Sequence, residues 1–208
     1  MLVAWGLFAP LLLWQIWRAE WRLLVANGLK HVFAITVLLL AGLWWAKAEA
    51  LGGLSVHFLV LSSVVLVFGW QFAMIAGALA MLLLAARGVV DWQSVAINAW
   101  VAVVFPVFCA HWLHAWVYRW CPKHYFVYLL VSAHFGAMLV IGATLLLGAA
   151  LVWASGGVSW AQLSYNYLPF IPLVMLAEGF INAMVMTALT AFKPHWVRSF
   201  DDRDYLDR

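Results

Sequence analysis

Glu178 is the one acidic side chain set well within a long apolar run, so its chemistry most needs an account. A charge at the centre of a membrane helix costs ~2.5–3.5 kcal/mol on insertion scales for comparable Asp, Lys or Arg side chains, and such a group must find a partner or face water. Asn182 follows four residues later, and Met175 and Met186 share its stripe at helical spacing. That stripe is expected to point into a helix bundle. The carboxyl is then either a structural group hydrogen-bonded to a neighbouring helix or part of a ligand pathway, and the residues alone leave both open.

Histidine is the second signal, because His57, His111, His114 and His134 all fall inside apolar runs. Imidazole is the commonest metal ligand and the side chain that titrates near neutral pH. His111 and His114 are three apart and share a helix face, which suits a metal pair awaiting a third ligand or hydrogen bonds between helices. Gly52-Gly53-Leu54-Ser55-Val56-His57-Phe58 is more pointed. Two glycines allow close backbone approach, Ser55 can cap a helix start, and His57 then projects from the first turn. A small ligand site needs those features, and so does the ordinary start of a helix. Cys109, in an apolar run, and Cys121, in a short basic connector, are not placed as halves of a disulfide. No HExxH, GxSxG, GxGxxG or Walker A pattern occurs, and no carboxylates pair at matched depth, so the chain is not expected to be an enzyme. Energy from nucleotide hydrolysis has to come from another polypeptide.

The elements that carry these groups follow from a composition that is 68% apolar and 9% charged, with a mean hydropathy of +1.00. A soluble domain carries about 25% charged residues. Lipid is therefore the solvent for most of this surface, and an all-α integral membrane protein is expected. Eleven Lys and Arg against eight Asp and Glu are too scattered to track phosphates, so no nucleic acid partner is expected. A hydrocarbon core of about 30 Å takes about 20 helical residues. Runs of that order lie at about 2–17, 31–46, 94–118, 124–153 and 167–192. The first lacks the basic segment and cleavage site of a signal peptide and is read as a retained helix. Leu54 to Ala86 holds 33 uncharged residues, about 50 Å as a single helix, which is too long for one crossing. A break at Phe68-Gly69-Trp70-Gln71 makes two short helices of it.

Charge placement tests that break. With seven spans and the N-terminus outside, Arg18, Arg22, Lys30, Arg119, Lys123, Lys193, Arg198, Arg203 and Arg208 are inside and only Lys47 and Arg87 outside. The bias of positive charge toward the cytoplasm favours this arrangement over a single 54–86 span. The expected architecture is a transmembrane bundle of about seven helices over residues 1–193, with six as the alternative, and a short cytoplasmic tail over 194–208. The outer connector 154–166 is uncharged and carries Trp160 and Tyr165 as interfacial anchors.

Several short motifs then resemble a known family. Ser55-Val56-His57-Phe58, Phe68-Gly69-Trp70, Ile97-Asn98 with Pro106, Ala177-Glu178-Gly179-Phe180-Ile181-Asn182, and the ending from Phe200-Asp201-Asp202 to Tyr205-Leu206 are similar to the cobalt/nickel permease family of energy-coupling-factor transporters (CbiM-type), in a short proteobacterial branch. The resemblance implies a seven-helix, substrate-binding subunit in the bacterial inner (plasma) membrane. Its cargo would be a divalent transition metal, Co or Ni, with no tightly bound cofactor. Its partners would be a coupling membrane subunit and cytoplasmic ATPases. In metal-binding members the N-terminal amine, a histidine at position two and a histidine opening the third helix chelate the ion. His57 corresponds to the last, whereas position two here is Leu2 and no histidine precedes His31. Ser55, Asn98, His134, Glu178 and Asn182 form the candidate substrate pathway or polar core, with His111 and His114 secondary. The alternatives are a membrane electron-transfer protein with a b-type haem between two intramembrane histidines, and a scaffold that transports nothing.

Overall fold

The computed structural model describes residues 2–26, 28–51 and 54–205. Long runs of leucine, valine and alanine in lipid can satisfy their main-chain groups only by closing them into helix. Three helices come first, α1 (Leu2–Arg18), the short α2 (Trp21–Ala26) and α3 (Lys30–Trp45). A two-stranded antiparallel hairpin follows, β1 (Ala48–Leu51) with β2 (Leu54–Val56). Then come α4 (Leu61–Phe68), α5 (Trp70–Ala86), α6 (Val95–Trp120) and α7 (Tyr125–Ala154). The chain ends with α8 (Trp160–Asn166), α9 (Ile171–Phe192) and the single turn α10 (Asp202–Tyr205).

α6, α7 and the stretch Trp160–Phe192 that holds α8 and α9 are long and apolar enough to cross a membrane. α1, α3 and α5, at 16 or 17 residues, reach about 24–26 Å at 1.5 Å per residue. Leu38, Leu39, Leu139, Leu146, Leu173 and Met184 stand exposed, as befits helices surrounded by hydrocarbon. The chain is thus a helical membrane protein with one small hairpin.

There are three local departures from plain helix, and two have a local physical cause. Residues 100–104 of α6 and 128–135 of α7 are π-helical. In α6 the wide turn precedes Pro106, which has no N–H to donate and whose ring would meet the carbonyl four residues back; the N–H of Phe105 bonds to the carbonyl of Trp100 instead. The break after Phe68 falls where the sequence puts it. Gly69 adopts φ 88° and ψ 164°, a conformation in practice reserved for glycine, and separates α4 from α5.

The helix expected from residue 54 is corrected by the structure. Residues 54–56 pair as a strand, 57–60 are neither helix nor strand, and α4 starts only at Leu61. Eight residues give α4 a length of about 12 Å, well short of a crossing. Every residue of α4 is buried, as are Leu59 and Val60 just before it, so this short helix is enclosed by protein. Gly52 and Gly53 lie outside the described residues, as do Met1 and 206–208.

The connectors fall into two groups. Glu20 accepts a 2.7 Å charged hydrogen bond from Arg198, whose side chain also covers Gly69, and Lys123 reaches Asp204 at 3.6 Å. The segments around residues 20, 69, 123 and 198–204 therefore share one face. Lys47, Val90, Val152 and Tyr167 border a single cavity toward the other ends of the helices. Residues 197–205, within the stretch read from the sequence as a short tail, pack against the helices. Val197, Phe200 and Tyr205 are buried, Phe200 and Tyr205 stack at 5.3 Å, and Tyr128 shares a 2.7 Å hydrogen bond with Ser199. The N–H groups of Arg198 and Ser199 donate to the carbonyls of Val67 and Leu66 at 3.0 and 3.1 Å, closing the last turn of α4.

Candidate functional site

The extended chain between β2 and α4 borders a cavity of about 240 Å³. Ser55 faces it from β2, His57 from this segment, Asn98 from the first turn of α6, Thr144 from α7, and Tyr167 from the chain before α9. Its walls are otherwise mainly apolar, among them Met81, Leu84, Val101 and Ile141. Three of the residues singled out in the sequence, Ser55, His57 and Asn98, thus meet in one place. Two of them arrive there by a route other than the expected one. Ser55 lies in β2 opposite Glu49, so it caps no helix, and His57 sits in irregular chain four residues before α4 rather than in a first helical turn.

His57 packs edge-on to Trp44 with ring centroids 5.8 Å apart, and its Nδ1 is buried without a hydrogen-bond partner. An unsatisfied buried ring nitrogen is costly, and imidazole nitrogen is a ligand that suits a transition metal. Ser55, Asn98 and Tyr167 add neutral oxygen or nitrogen donors. No group of three His, Cys, Asp or Glu side chains capable of holding a metal occurs among the described residues.

Glu178 and Asn182 lie outside this cavity but directly behind the chain that forms it. Glu178 is 1% exposed and Asn182 fully buried. The N–H of Leu59 donates to Glu178 Oε2 at 3.0 Å and that of Val60 to Oε1 at 2.6 Å. Asn182 Nδ2 donates to Glu178 Oε1 at 3.0 Å and to the Glu178 carbonyl at 2.8 Å, while its Oδ1 accepts from Ser63 N at 2.9 Å and Ser63 Oγ at 2.7 Å. The carboxylate accepts from three donors at the N-terminal end of α4, where free N–H groups and the helix dipole favour negative charge. These hydrogen bonds bind Glu178 to the chain that borders the cavity, which Glu178 itself does not line. Met186 is buried and Met175 half-buried on the same inward stripe, as the spacing predicts.

The remaining histidines go elsewhere. His134 is buried between Phe135 and Phe180, each 4.9 Å from it by ring centroid, and its carbonyl packs on Gly179. It belongs to the contact between α7 and α9 and does not border the cavity. His111 lies against Trp70, whereas His114 Nδ1 is 3.3 Å from Ser132 Oγ and its ring meets Tyr128 edge-on. The two share a helix but not a partner. His57 and His114 border separate cavities.

Sequence reasoning passed over Trp44, Thr144 and Tyr167. Trp44, in the last turn of α3, donates from Nε1 to the Leu59 carbonyl at 3.4 Å, and Tyr167 is buried at the break between α8 and α9. A helix signal inside the supposed outer connector was present: Ser159 and Gln162 form a capping box that starts α8. Gln15, fully buried on α1 with both amide atoms unpaired, carried no signal beyond being polar in an apolar run.

No curated protein and no solved structure matches the chain. The family model described as the cobalt uptake substrate-specific transmembrane region, CbiM, matches residues 1–196. That family comprises the substrate-specific membrane component of cobalt uptake transporters. Its model extends over all of the helices from α1 to α9, both strands of the hairpin and every residue that borders the His57 cavity, and by that match the chain belongs to the CbiM family.

Proposed function

We propose that this protein is the cargo-binding membrane subunit of a Co/Ni-class energy-coupling-factor transporter, and that the cavity at His57 receives the divalent metal. ATP is hydrolysed by separate cytoplasmic subunits that act through a coupling membrane subunit, since the chain has no nucleotide motif. The single observation that carries the reading is His57: an imidazole with an unpaired buried Nδ1, bordering a cavity that also collects Ser55 and Asn98. Seven crossings of a bacterial inner membrane, with the N-terminus outside and the residues from 194 onward in the cytoplasm, complete the proposal. Support comes from the connectors, because those rich in Lys and Arg gather on the face of Arg198 and Glu20, opposite the cavity. In that topology the third crossing consists of irregular chain plus α4.

Equilibrium dialysis of the detergent-purified protein against Co²⁺ and Ni²⁺ tests this. Wild type is expected to bind and His57→Ala to bind at least tenfold more weakly. Equal binding by the two proteins would reject His57 as a ligand. Absence of binding to wild type would reject the cargo reading.

A further inference from the structure

Glu178 and His57 belong to different elements, and hydrogen bonds link the carboxylate to the chain that carries the imidazole. Residues 57–60 are irregular, and Val60 sits at φ 54°, a left-handed conformation that a β-branched residue takes only when its surroundings impose it. What imposes it is a single carboxylate, whose two oxygens take the adjacent N–H groups of Leu59 and Val60. Asn182 fixes that carboxylate from its own helix and holds Ser63 in the first turn of α4. On the other side Leu59 receives the indole N–H of Trp44, the ring against which His57 packs.

We propose that Glu178, buttressed by Asn182, is the positioning residue of the cavity: it sets the 57–60 connector and thereby the aim of the His57 imidazole, without being a ligand itself. The proposal rests on the cargo reading for its functional consequence and on hydrogen bonding alone for its geometry. Every partner of the carboxylate is a donor. An amide in its place turns an –NH₂ toward a backbone N–H at one of the two positions, so a nearly isosteric change unseats one end of the clasp. An aspartate keeps the charge but ends one methylene short.

The test uses the full-length protein in detergent and compares wild type, Glu178→Gln, Glu178→Asp and Asn182→Ala by two measurements. Hydrogen exchange of the peptide spanning Leu59 to Ser63 reports the connector whether or not any metal binds. It is expected to rise at least tenfold in Glu178→Gln, with α7 unchanged. Dialysis against Co²⁺ reports the imidazole, and affinity is expected to fall about tenfold or more in Glu178→Gln and less in Glu178→Asp. If Glu178→Gln does not fold, Glu178→Asp and Asn182→Ala carry both measurements, with the same signs. Unchanged exchange in the folded variants overturns the proposal. Raised exchange with unchanged cobalt affinity also overturns it, because the clasp would then be structural only. Wild type that binds no cobalt defeats the cargo reading instead, and the exchange result alone then decides whether Glu178 sets the connector.

Discussion

Gly179 on α9 packs tightly against α7, and replacing it with alanine should move the helix that carries the clasp. A Cβ built on Gly179 would lie 2.6 Å from Met138 Cγ and 3.0 Å from both the carbonyl oxygen and Nδ1 of His134. The Met138 side chain can turn aside. The carbonyl belongs to the helix and cannot, so α9 has to withdraw by roughly 0.4 Å to restore ordinary contact, and Glu178 is the preceding residue. Overpacking of this kind costs about 1–3 kcal/mol, a factor of roughly 5–150 in the folded-to-unfolded ratio. Reversible unfolding in mixed micelles, followed by tryptophan fluorescence, measures it. Gly42→Ala is the control, since a Cβ there meets nothing within 4 Å, and it should be neutral or slightly stabilising. If Gly179→Ala unfolds at the same denaturant fraction as wild type, the helices are not held at this distance by the missing side chain and the reasoning fails.

Two further outcomes follow from the backbone and the docked C-terminal segment. Gly69→Ala forces a side chain into a glycine-only conformation and should lower stability by about 1–3 kcal/mol in the same micelle assay, with no loss expected only if the break between α4 and α5 can relax. Burial, with Tyr118 and Asp204 nearby, pushes the Tyr205 hydroxyl up to about 12 from an ordinary value of 10.0. Because the folded value is the higher one, its contribution is intact below about pH 10 and is lost as pH rises toward about 12. Thermal unfolding compared at about pH 9 and about pH 11 should therefore show a larger drop for wild type than for Tyr205→Phe, and equal drops would contradict the burial.

The long helices were legible because lipid allows one solution for an apolar run of that length, and Phe68-Gly69 was legible as a break because the run was too long for one crossing. The inward stripe of Glu178, Asn182 and Met186 was legible from helical spacing. Residues 54–60 were not. A short apolar run reads alike as strand, helix or buried coil, and the choice was made by Glu178 and Asn182 more than a hundred residues away. The end of the chain misled for the opposite reason. Its alternating Asp and Arg look solvated, whereas Val197, Phe200 and Tyr205, spaced among them, are what the bundle buries. Depth in the membrane also failed to distinguish His57 from His134, since only packing decides which of two intramembrane imidazoles meets a cavity.

Both ends of α4 are fastened to other parts of the molecule, the first turn to α9 and the last carbonyls to Arg198 and Ser199. At about 12 Å the helix spans the distance between these two attachments. The connector that carries His57 and the chain at residues 198–199 are therefore attached to opposite ends of one short, fully buried helix.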